Sequence, residues 1–347
     1  MVGLAETHER RRQGRSLAAD GAAGALFGAL DLGTNNCRLL VAKRAPGGFR
    51  VVDAFSRIVR LGEGLSRDNR LGEPAMARAI DALQVCAAKL DRRQRVIFRG
   101  VATEACRRAA NGAAFLARVA SETGLDLAAI QPAEEAALAV AGCAQLLDAA
   151  ASNAIMFDIG GGSTEVMWLA NRRTDGQDGD WALVDFVSLP FGVISVGERL
   201  GGARVEPRLY DAAVADIAAA LGALDRRCAI ADAVRAGKVD MLGTSGTVTT
   251  LSALAQGLRH YQRDRVDGSA LAAADIRTIS QTLADSDFAT RADHPCIGPE
   301  RADLVVAGCA ILEAICRLWP VPVVRVADRG LREGILLGLM AGEAGAP

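Results

Sequence analysis

Two short segments of the sequence place an aspartate, glycines and polar side chains in the same order. They are Asp31-Leu32-Gly33-Thr34-Asn35 and Asp158-Ile159-Gly160-Gly161-Gly162-Ser163-Thr164-Glu165. Glycine lets the backbone turn tightly and approach a ligand closely, and exposed N–H groups in such turns hold phosphate oxygens. Carboxylates at the loop ends suit Mg²⁺, which prefers oxygen ligands. We therefore predict two phosphate loops and a divalent cation, with the aspartates Asp31 and Asp158 as candidate metal ligands.

A third segment combines glycine and hydroxyl groups between a short apolar run and a helical pattern. It consists of Gly243, Thr244, Ser245 and Gly246. The N-terminus of the following helix would favour an anion. A simple hydroxyl cap of that helix explains the same residues equally well.

Acidic and basic side chains near these loops are candidates for the remaining chemistry. Glu134 and Glu135 follow Pro132 at the start of a predicted helix, where acidic residues are also favoured by the helix dipole. Beside two phosphate loops, a glutamate there would act as general base toward water. Arg38 and Arg107 are candidate phosphate partners because guanidinium groups bind phosphate bidentately. A surface ion pair is the alternative for each arginine.

The elements that must carry these residues form a repeated pattern. Apolar runs at residues 25–31 and 38–42 flank the first loop, and runs at 154–158 and 165–169 flank the second. Each loop is therefore predicted to join the two strands of a hairpin. A third strand is predicted at 49–60. Two matching halves indicate an internally duplicated α/β fold with a cleft between two domains.

The other predicted elements fill the space between and after the hairpins. Strands are predicted at 96–103, 124–130, 239–242 and 321–326, and a surface loop at 171–180. Apolar spacing and capping residues predict helices. They lie at 75–92, 113–122, 134–147, 193–200, 208–233, 248–256, 299–319 and 328–340.

Composition excludes several classes of protein. The chain has 347 residues, of which 50% are hydrophobic and 23% charged, and its formal net charge is −1. This balance gives no bulk attraction to nucleic acid or to an anionic membrane. The eight cysteines form no Cys-x-x-Cys pair and are expected to be reduced. The three histidines are scattered along the sequence, so few ligands are available for a zinc site. With no secretory signal and no span of roughly 20 apolar residues, we expect a cytoplasmic protein.

Six motifs in order resemble the exopolyphosphatase and guanosine pentaphosphate phosphatase family (Ppx/GppA), over residues 25–340. They are Ala29-Leu30-Asp31-Leu32-Gly33-Thr34-Asn35, Ala102-Thr103-Glu104-Ala105-Cys106-Arg107, Ala133-Glu134-Glu135-Ala136, Phe157-Asp158-Ile159-Gly160-Gly161-Gly162-Ser163-Thr164-Glu165, Leu189-Pro190-Phe191-Gly192 and Asp328-Arg329-Gly330-Leu331-Arg332-Glu333-Gly334. The resemblance implies a duplicated actin-like (ribonuclease H-like) ATPase fold. We expect domain I at 25–132 and domain II at 133–340, preceded by an arm (1–24) that its polar, arginine-rich sequence predicts to be disordered, and followed by a tail (341–347). For the last helix, 328–340, packing against domain I is the alternative to packing within domain II.

The resemblance also implies roles for the candidate residues. Glu135 corresponds to the glutamate that activates water, with Glu134 as its rival, and Asp158 and Glu165 correspond to acids near the metal and the attacked phosphate. Arg107 corresponds to a phosphate-binding arginine. The family's first phosphate loop corresponds to Asp31, Thr34, Asn35 and Arg38, and its second phosphate loop corresponds to residues 160–164. Asn36 stands where a serine is frequent, and Gln131-Pro132-Ala133 stands where a Ser-Gly pair is common.

The activity implied by the resemblance is Mg²⁺-dependent release of orthophosphate from the ends of inorganic polyphosphate. Conversion of guanosine pentaphosphate to tetraphosphate is the alternative with the same chemistry. A kinase or chaperone-type ATPase of the same superfamily and a non-catalytic alarmone-binding protein are the alternatives from other classes. The expected partners are polyphosphate or these guanosine nucleotides, without nucleic acid or membrane, and a homodimer is left open. The chain resembles the short two-domain members, which lack the extra C-terminal region that helps bind long polyphosphate.

Overall fold

Two β-sheets, built from successive halves of the chain, form the framework of the molecule. The computed structural model describes residues 24–93, 95–172, 180–201 and 204–344. The first sheet contains β1 (Leu26–Leu32), β2 (Asn36–Ala45), β3 (Gly48–Ile58), β4 (Val96–Ala102) and β5 (Leu127–Ala129). The second contains β6 (Asn153–Ile159), β7 (Thr164–Asn171), β8 (Trp181–Leu189), β9 (Val239–Thr244), β10 (Ala270–Ala272) and β11 (Val323–Ala327).

The two sheets have the same topology. The first has the order β3-β2-β1-β4-β5, and the second the order β8-β7-β6-β9-β11-β10. In each, the first three strands are antiparallel neighbours, and the next strand pairs parallel to the first strand of its half. This is the strand order of the duplicated actin-like fold, so the predicted fold class is confirmed.

Helices connect the strands and cover the sheets. The α-helices are α1 (Leu65–Asp68), α2 (Glu73–Asp91), α3 (Glu104–Arg108), α4 (Gly112–Thr123), α5 (Pro132–Cys143), α6 (Val193–Leu200), α7 (Pro207–Cys228), α8 (Ile230–Arg235), α9 (Gly246–Ala255), α10 (Arg263–Val266), α11 (Ala273–Asp285), α12 (Phe288–Asp293), α13 (Val305–Leu318) and α14 (Leu331–Ala344). A 3₁₀ turn, Ala144–Leu146, extends α5.

Two of these helices cross between the sheets. α5 follows the first sheet in the chain but packs its buried residues, such as Ala139, against Met156 and Met167 of the second sheet. α14 follows the second sheet but packs Ile335 and Leu336 against Phe27 and Ala29 of the first. The exchange of helices ties the halves together, and it places the start of α5 at the cleft between them.

Each sheet buries its other face under a separate set of helices. In the first half, Leu30, Leu39 and Leu83 belong to one apolar core, and in the second half Phe157, Ile217 and Ile311 belong to another. Burial of such side chains stabilises each half by about 1.5–3 kcal/mol per residue. The loops between β1 and β2 and between β6 and β7 therefore extend from two independently packed supports.

Several predicted elements differ from the structure. Strand β8 is absent from the prediction, and α8 follows α7 after a break at Ala229, whose φ is 51°. The helix predicted at 299–319 begins only at Val305, after turns, and the helix predicted at 328–340 begins at Leu331. The last helix continues to Ala344 into the predicted tail. Residues 1–23 of the predicted arm and 173–179 of the predicted loop lie outside the described residues.

The described residues contain neither a disulfide nor a membrane-spanning helix. All eight cysteines are free, and six of them are buried. No helix in the described ranges is both long enough and apolar enough to cross a bilayer.

Candidate active site

The three glycine-containing loops surround one cavity of about 140 Å³ between the two halves. The lining residues that the sequence predicted are Asp31, Gly33, Thr34, Asn35, Arg38, Glu135, Asp158, Gly160, Gly161, Gly162, Ser163, Ser245 and Gly246. Loops that are far apart in the sequence thus meet because each follows the first or fourth strand of its half, and these strands end at the same edge of their sheets.

The first loop is held by its own backbone. The N–H of Gly33 donates to the carbonyl of Asn36 at 2.8 Å, which closes the turn between β1 and β2. The carbonyls of Thr34 and Asn35 accept from the segment after β3, including the N–H of Gly62 at 2.9 Å. The N–H groups of Thr34 and Asn35 make no hydrogen bond within the described part of the chain. These two donors remain for an anion.

The second loop has the same construction. The N–H of Gly160 donates to the carbonyl of Ser163 at 2.9 Å, and the carbonyls of Gly160 and Gly161 accept from Val193 and Ile194 at the start of α6. Among the described residues, the N–H groups of Gly161 and Gly162 have no partner. Because buried backbone donors are normally paired, four free N–H groups around one cavity indicate an anion site.

The two loops touch each other across the cleft. A Cβ at Gly161 would lie 2.8 Å from the backbone N of Asn35, and a Cβ at Gly162 would overlap Oε2 of Glu104. Only glycine permits this approach, since real Cβ atoms do not come so close to backbone atoms. The approach brings both sets of free N–H groups to the same cavity.

Corresponding positions of the two hairpins carry different charges. Asp31 lies opposite Arg38 in the register of β1 and β2, whereas Asp158 lies opposite Glu165 in the register of β6 and β7. Burial, followed by repulsion from Glu165, raises the pKa of Asp158 to about 7. Burial also raises the pKa of Glu165, although Ser188 donates a 2.7 Å hydrogen bond to its carboxylate. Burial raises the pKa of Asp31 as well, and Arg38 opposes this rise.

Glu135 faces the cavity from the first turn of α5. Its side chain is 14% exposed and pairs with Arg107 at 3.3 Å. Burial first, and then repulsion from Glu165, raises the pKa of Glu135 to about 9 despite Arg107. Arg107 also donates to the carbonyl of Ile130 at 2.7 Å. Glu134, in contrast, is 43% exposed, pairs with Arg99 and does not line the cavity.

The acidic residues at the cavity have the chemistry that a divalent cation requires. Among the described residues, no group of three or more His, Cys, Asp or Glu side chains forms a ready metal cage. Mg²⁺ usually takes one or two carboxylates and fills its remaining positions with water and phosphate oxygens. Burial raises the pKa of Asp158 and of Glu165, and repulsion from Glu165 adds to the rise at Asp158. A cation beside Asp158 would offset both effects.

The third loop is a helix cap with strained backbone. The side chain of Ser245 accepts from the N–H groups of Thr247 and Val248 at the start of α9. Its φ of 136° lies in a region that glycine normally occupies. Such strain is most often retained at functional sites. Ser245 therefore both caps α9 and lines the cavity.

An adjoining cavity of about 470 Å³ shares Asp31, Arg38 and Arg301 with the first. The side chains of Arg38, Arg301 and Arg332 line this region and have no hydrogen-bond or ion-pair partner in the described ranges. Burial lowers the pKa of Arg301 and of Arg332. Guanidinium groups that make no hydrogen bond or ion pair in a cavity leave their donors available to an anion.

Some predicted site residues lie outside the cavity wall. Arg107 and Glu165 lie behind Glu135 and Asp158, Thr164 donates to the carbonyl of Phe191 at 2.6 Å, and Gly243 packs on Phe157. Thr244 lines only the adjoining cavity. Three residues of the site, Arg301, Arg332 and Glu104, were not predicted from the sequence. Arg332 and Glu104 lie inside quoted motifs, and Arg301 carries no local motif signal.

Comparison with known proteins gives consistent similarities. The sequence model of the Ppx/GppA phosphatase family matches residues 40–343. The chain is 30% identical to Exopolyphosphatase 2 of Mycobacterium tuberculosis, with 90% of this chain and 97% of that protein covered. The crystal structure of an exopolyphosphatase-like protein has a TM-score of 0.80 at 27% identity, covering 90% of this chain and 97% of its own. An Aquifex aeolicus member of the Ppx/GppA family has a TM-score of 0.70 at 25% identity, covering 93% and 99%.

Proposed function

The chain belongs to the Ppx/GppA phosphatase family, and we propose that it is an exopolyphosphatase that hydrolyses the terminal phosphoanhydride bond of inorganic polyphosphate. The observation that carries this proposal is the set of four free N–H groups, from two loops, that face one cavity with unpaired arginines beside it. Such donors match the oxygens of a terminal phosphoryl group, and a row of arginines matches the phosphates that follow it.

The reaction needs a positioned water and neutralised charge more than covalent chemistry by the protein. The two loops hold the terminal phosphoryl group through their backbone donors. Glu135 accepts a proton from the water whose oxygen attacks the phosphorus, and the P–O bond to the rest of the chain breaks. Asp158, with Asp31 nearby, would hold a Mg²⁺ at the cavity, and Glu165 behind Asp158 would add negative charge that favours the cation. The ion would supply charge neutralisation on the phosphate oxygens.

The ionisation of Glu135 depends on a bound cation. Without one, burial and then repulsion from Glu165 raise the pKa of Glu135 to about 9, so that the carboxyl is mostly protonated at neutral pH. A cation would offset the repulsion and lower this pKa, and a base whose pKa lies near the working pH contributes about 10²–10⁴-fold to rates. Arg107 forms an ion pair with the carboxylate of Glu135. Arg107 is itself held in place by the hydrogen bond that it donates to the carbonyl of Ile130. We propose that Arg107 orients the carboxylate of Glu135.

Guanosine pentaphosphate is the second candidate substrate. Tyr261, Pro295 and Ile297 line the adjoining cavity together with the arginines. An aromatic ring and apolar neighbours can hold a purine by stacking. This apolar edge favours a nucleoside at the far end of a phosphate chain, whereas the unpaired arginines favour phosphates.

The test is orthophosphate release with Mg²⁺ from medium-chain polyphosphate and from guanosine pentaphosphate at equal concentrations. The proposal expects faster release from polyphosphate and loss of release when the cation is chelated. Faster release from the nucleotide would replace polyphosphate as substrate. Tight binding of either compound without phosphate release would contradict the assignment as an enzyme.

A further inference from the structure

Glu104 is a buried carboxylate at the cleft that the reaction described above does not use. It begins the short helix α3 directly after β4, and only 7% of the residue is exposed. Its Oε1 accepts from Arg108 at 2.8 Å, one turn along the helix. A charged group buried this deeply needs partners to stay folded in place. Arg108 provides one, and Thr34 of the first phosphate loop provides another.

The second oxygen of Glu104 lies where the two phosphate loops meet. Oε2 accepts from the hydroxyl of Thr34 in the first loop at 3.1 Å. The same oxygen packs against Gly162 of the second loop so closely that a Cβ there would overlap it. One carboxylate thus contacts the β1–β2 loop by a hydrogen bond and the β6–β7 loop by direct packing.

The hydrogen bond also decides what Thr34 can offer a substrate. A hydroxyl has one proton to donate, and the proton of Thr34 is used by Glu104. Thr34 therefore presents its backbone N–H to an anion, with its side chain turned toward α3. The orientation of this N–H depends on the position of Glu104.

We propose that Glu104 is a positioning residue that fixes the spacing of the two phosphate loops through Thr34 and Gly162, without touching substrate. The inference rests on the proposed function for its kinetic readout. Hydrogen bonds to charged groups are among the strong ones, and misplacement of a reacting group by about 1 Å can cost on the order of 10²-fold in rate. A carboxylate that joins both loops controls this spacing.

The first test compares substitutions of Glu104. Glu104→Gln keeps an oxygen that accepts from Thr34, whereas Glu104→Ala removes it. We expect kcat/KM within about threefold of the original protein for Glu104→Gln and a loss of about 10–100-fold for Glu104→Ala. Glu122→Ala is the control, because Glu122 forms a similar ion pair with Arg118 one turn away, far from the cavity. Equal losses for Glu104→Gln and Glu104→Ala would overturn the proposal, since they would show that the charge itself acts in the reaction.

The second test is a double-substitution cycle with Thr34→Val, which removes the hydroxyl and keeps the shape. If Glu104 acts through Thr34, the double variant Thr34→Val/Glu104→Ala loses no more than the worse single variant. Multiplying losses would overturn the proposal. The cycle is measured in kcat/KM and also in the affinity for inorganic phosphate by calorimetry. The binding measurement tests the inference even if the protein binds phosphate but hydrolyses no polyphosphate, and circular dichroism identifies any variant that fails to fold.

Discussion

Charge pairing across the two hairpins explains why their equivalent residues behave differently. Asp31 faces Arg38, but Asp158 faces Glu165, so only the second hairpin concentrates negative charge. Glu135 adds a third carboxyl to this concentration, and Glu165 is the largest charge that raises its pKa. A site that is costly without its ligand is typical of functional residues, which sacrifice stability for chemistry.

Glu135 should therefore destabilise the protein when no cation or phosphate is bound. Its pKa is about 9 in the folded protein and near its ordinary value when unfolded, so the folded state binds more protons between these values. Unfolding free energy then falls as pH rises through this window. We expect Glu135→Gln to have a higher melting temperature than the original protein at pH 8, with the difference shrinking below about pH 4.5.

The measurement is thermal unfolding in a chelating buffer without phosphate, over a series of pH values. Glu134→Gln is the matched control, because Glu134 is exposed and paired with Arg99 outside the cavity. A Glu135→Gln protein no more stable than the original at pH 8 would contradict the raised pKa.

At the scale of elements, the crossing of α5 and α14 fixes where Glu135 lies. The helices touch through glycines: a Cβ at Gly334 would overlap the carbonyl of Leu138, and a Cβ at Gly142 would overlap that of Gly330. Glu333 also accepts from the N–H of Gly330 at 2.9 Å, which caps the start of α14. Because α5 carries Glu135, this crossing sets the distance between Glu135 and the phosphate loops.

Substitution of Gly334 by alanine should separate the two helices. The added methyl group meets backbone, which cannot move aside without shifting α5, so we expect a loss of about 1–3 kcal/mol in unfolding free energy and a lower kcat. Gly338→Ala is the control in the same helix, since no atom lies within 4 Å of its added Cβ. It should stabilise the helix by about 0.5–1 kcal/mol. Urea unfolding measures both changes. Equal behaviour of the two variants would contradict the close crossing.

The elements around the chemistry were the most predictable from sequence, because glycine turns between apolar runs determine a hairpin locally. β8 was missed, because it is an edge strand in which only the end residues Trp181 and Leu189 are buried and Val184 is exposed, so that it shows no clear alternation. The break at Ala229 was also missed, because alanine gives no local signal for a φ of 51°. Arg301 could not be assigned from sequence since its place in the cavity depends on packing between distant segments.

At the scale of the whole molecule, local charge replaces net charge in attracting a polyanion. A chain with net charge −1 has no long-range attraction to polyphosphate. The unpaired Arg38, Arg301 and Arg332 instead collect positive charge at the cleft. The halves are also linked at the cleft edge: Arg60, after β3, donates to both oxygens of Asp303, before α13, at 2.8 and 3.1 Å.

Loss of this link should weaken substrate binding more than catalysis. If the Arg60–Asp303 pair favours the closed arrangement of the loops, Asp303→Asn lowers the fraction of protein molecules able to bind substrate. KM then rises in inverse proportion to that fraction. A partly exposed ion pair of about 1 kcal/mol corresponds to roughly a fivefold rise, which should diminish in high salt. Asp216→Asn, which breaks an ion pair with Arg199 within the second half, is the control. Identical KM values for the two variants would argue against the link.

The most direct test of the account compares orthophosphate release from polyphosphate by the original protein, Glu135→Gln and Glu134→Gln, with Mg²⁺ at neutral pH. The two substitutions make the same chemical change at adjacent residues, only one of which faces the cavity. The account predicts a loss of about 10²–10⁴-fold for Glu135→Gln and activity within about twofold of the original for Glu134→Gln. Full activity of a folded Glu135→Gln protein would contradict it.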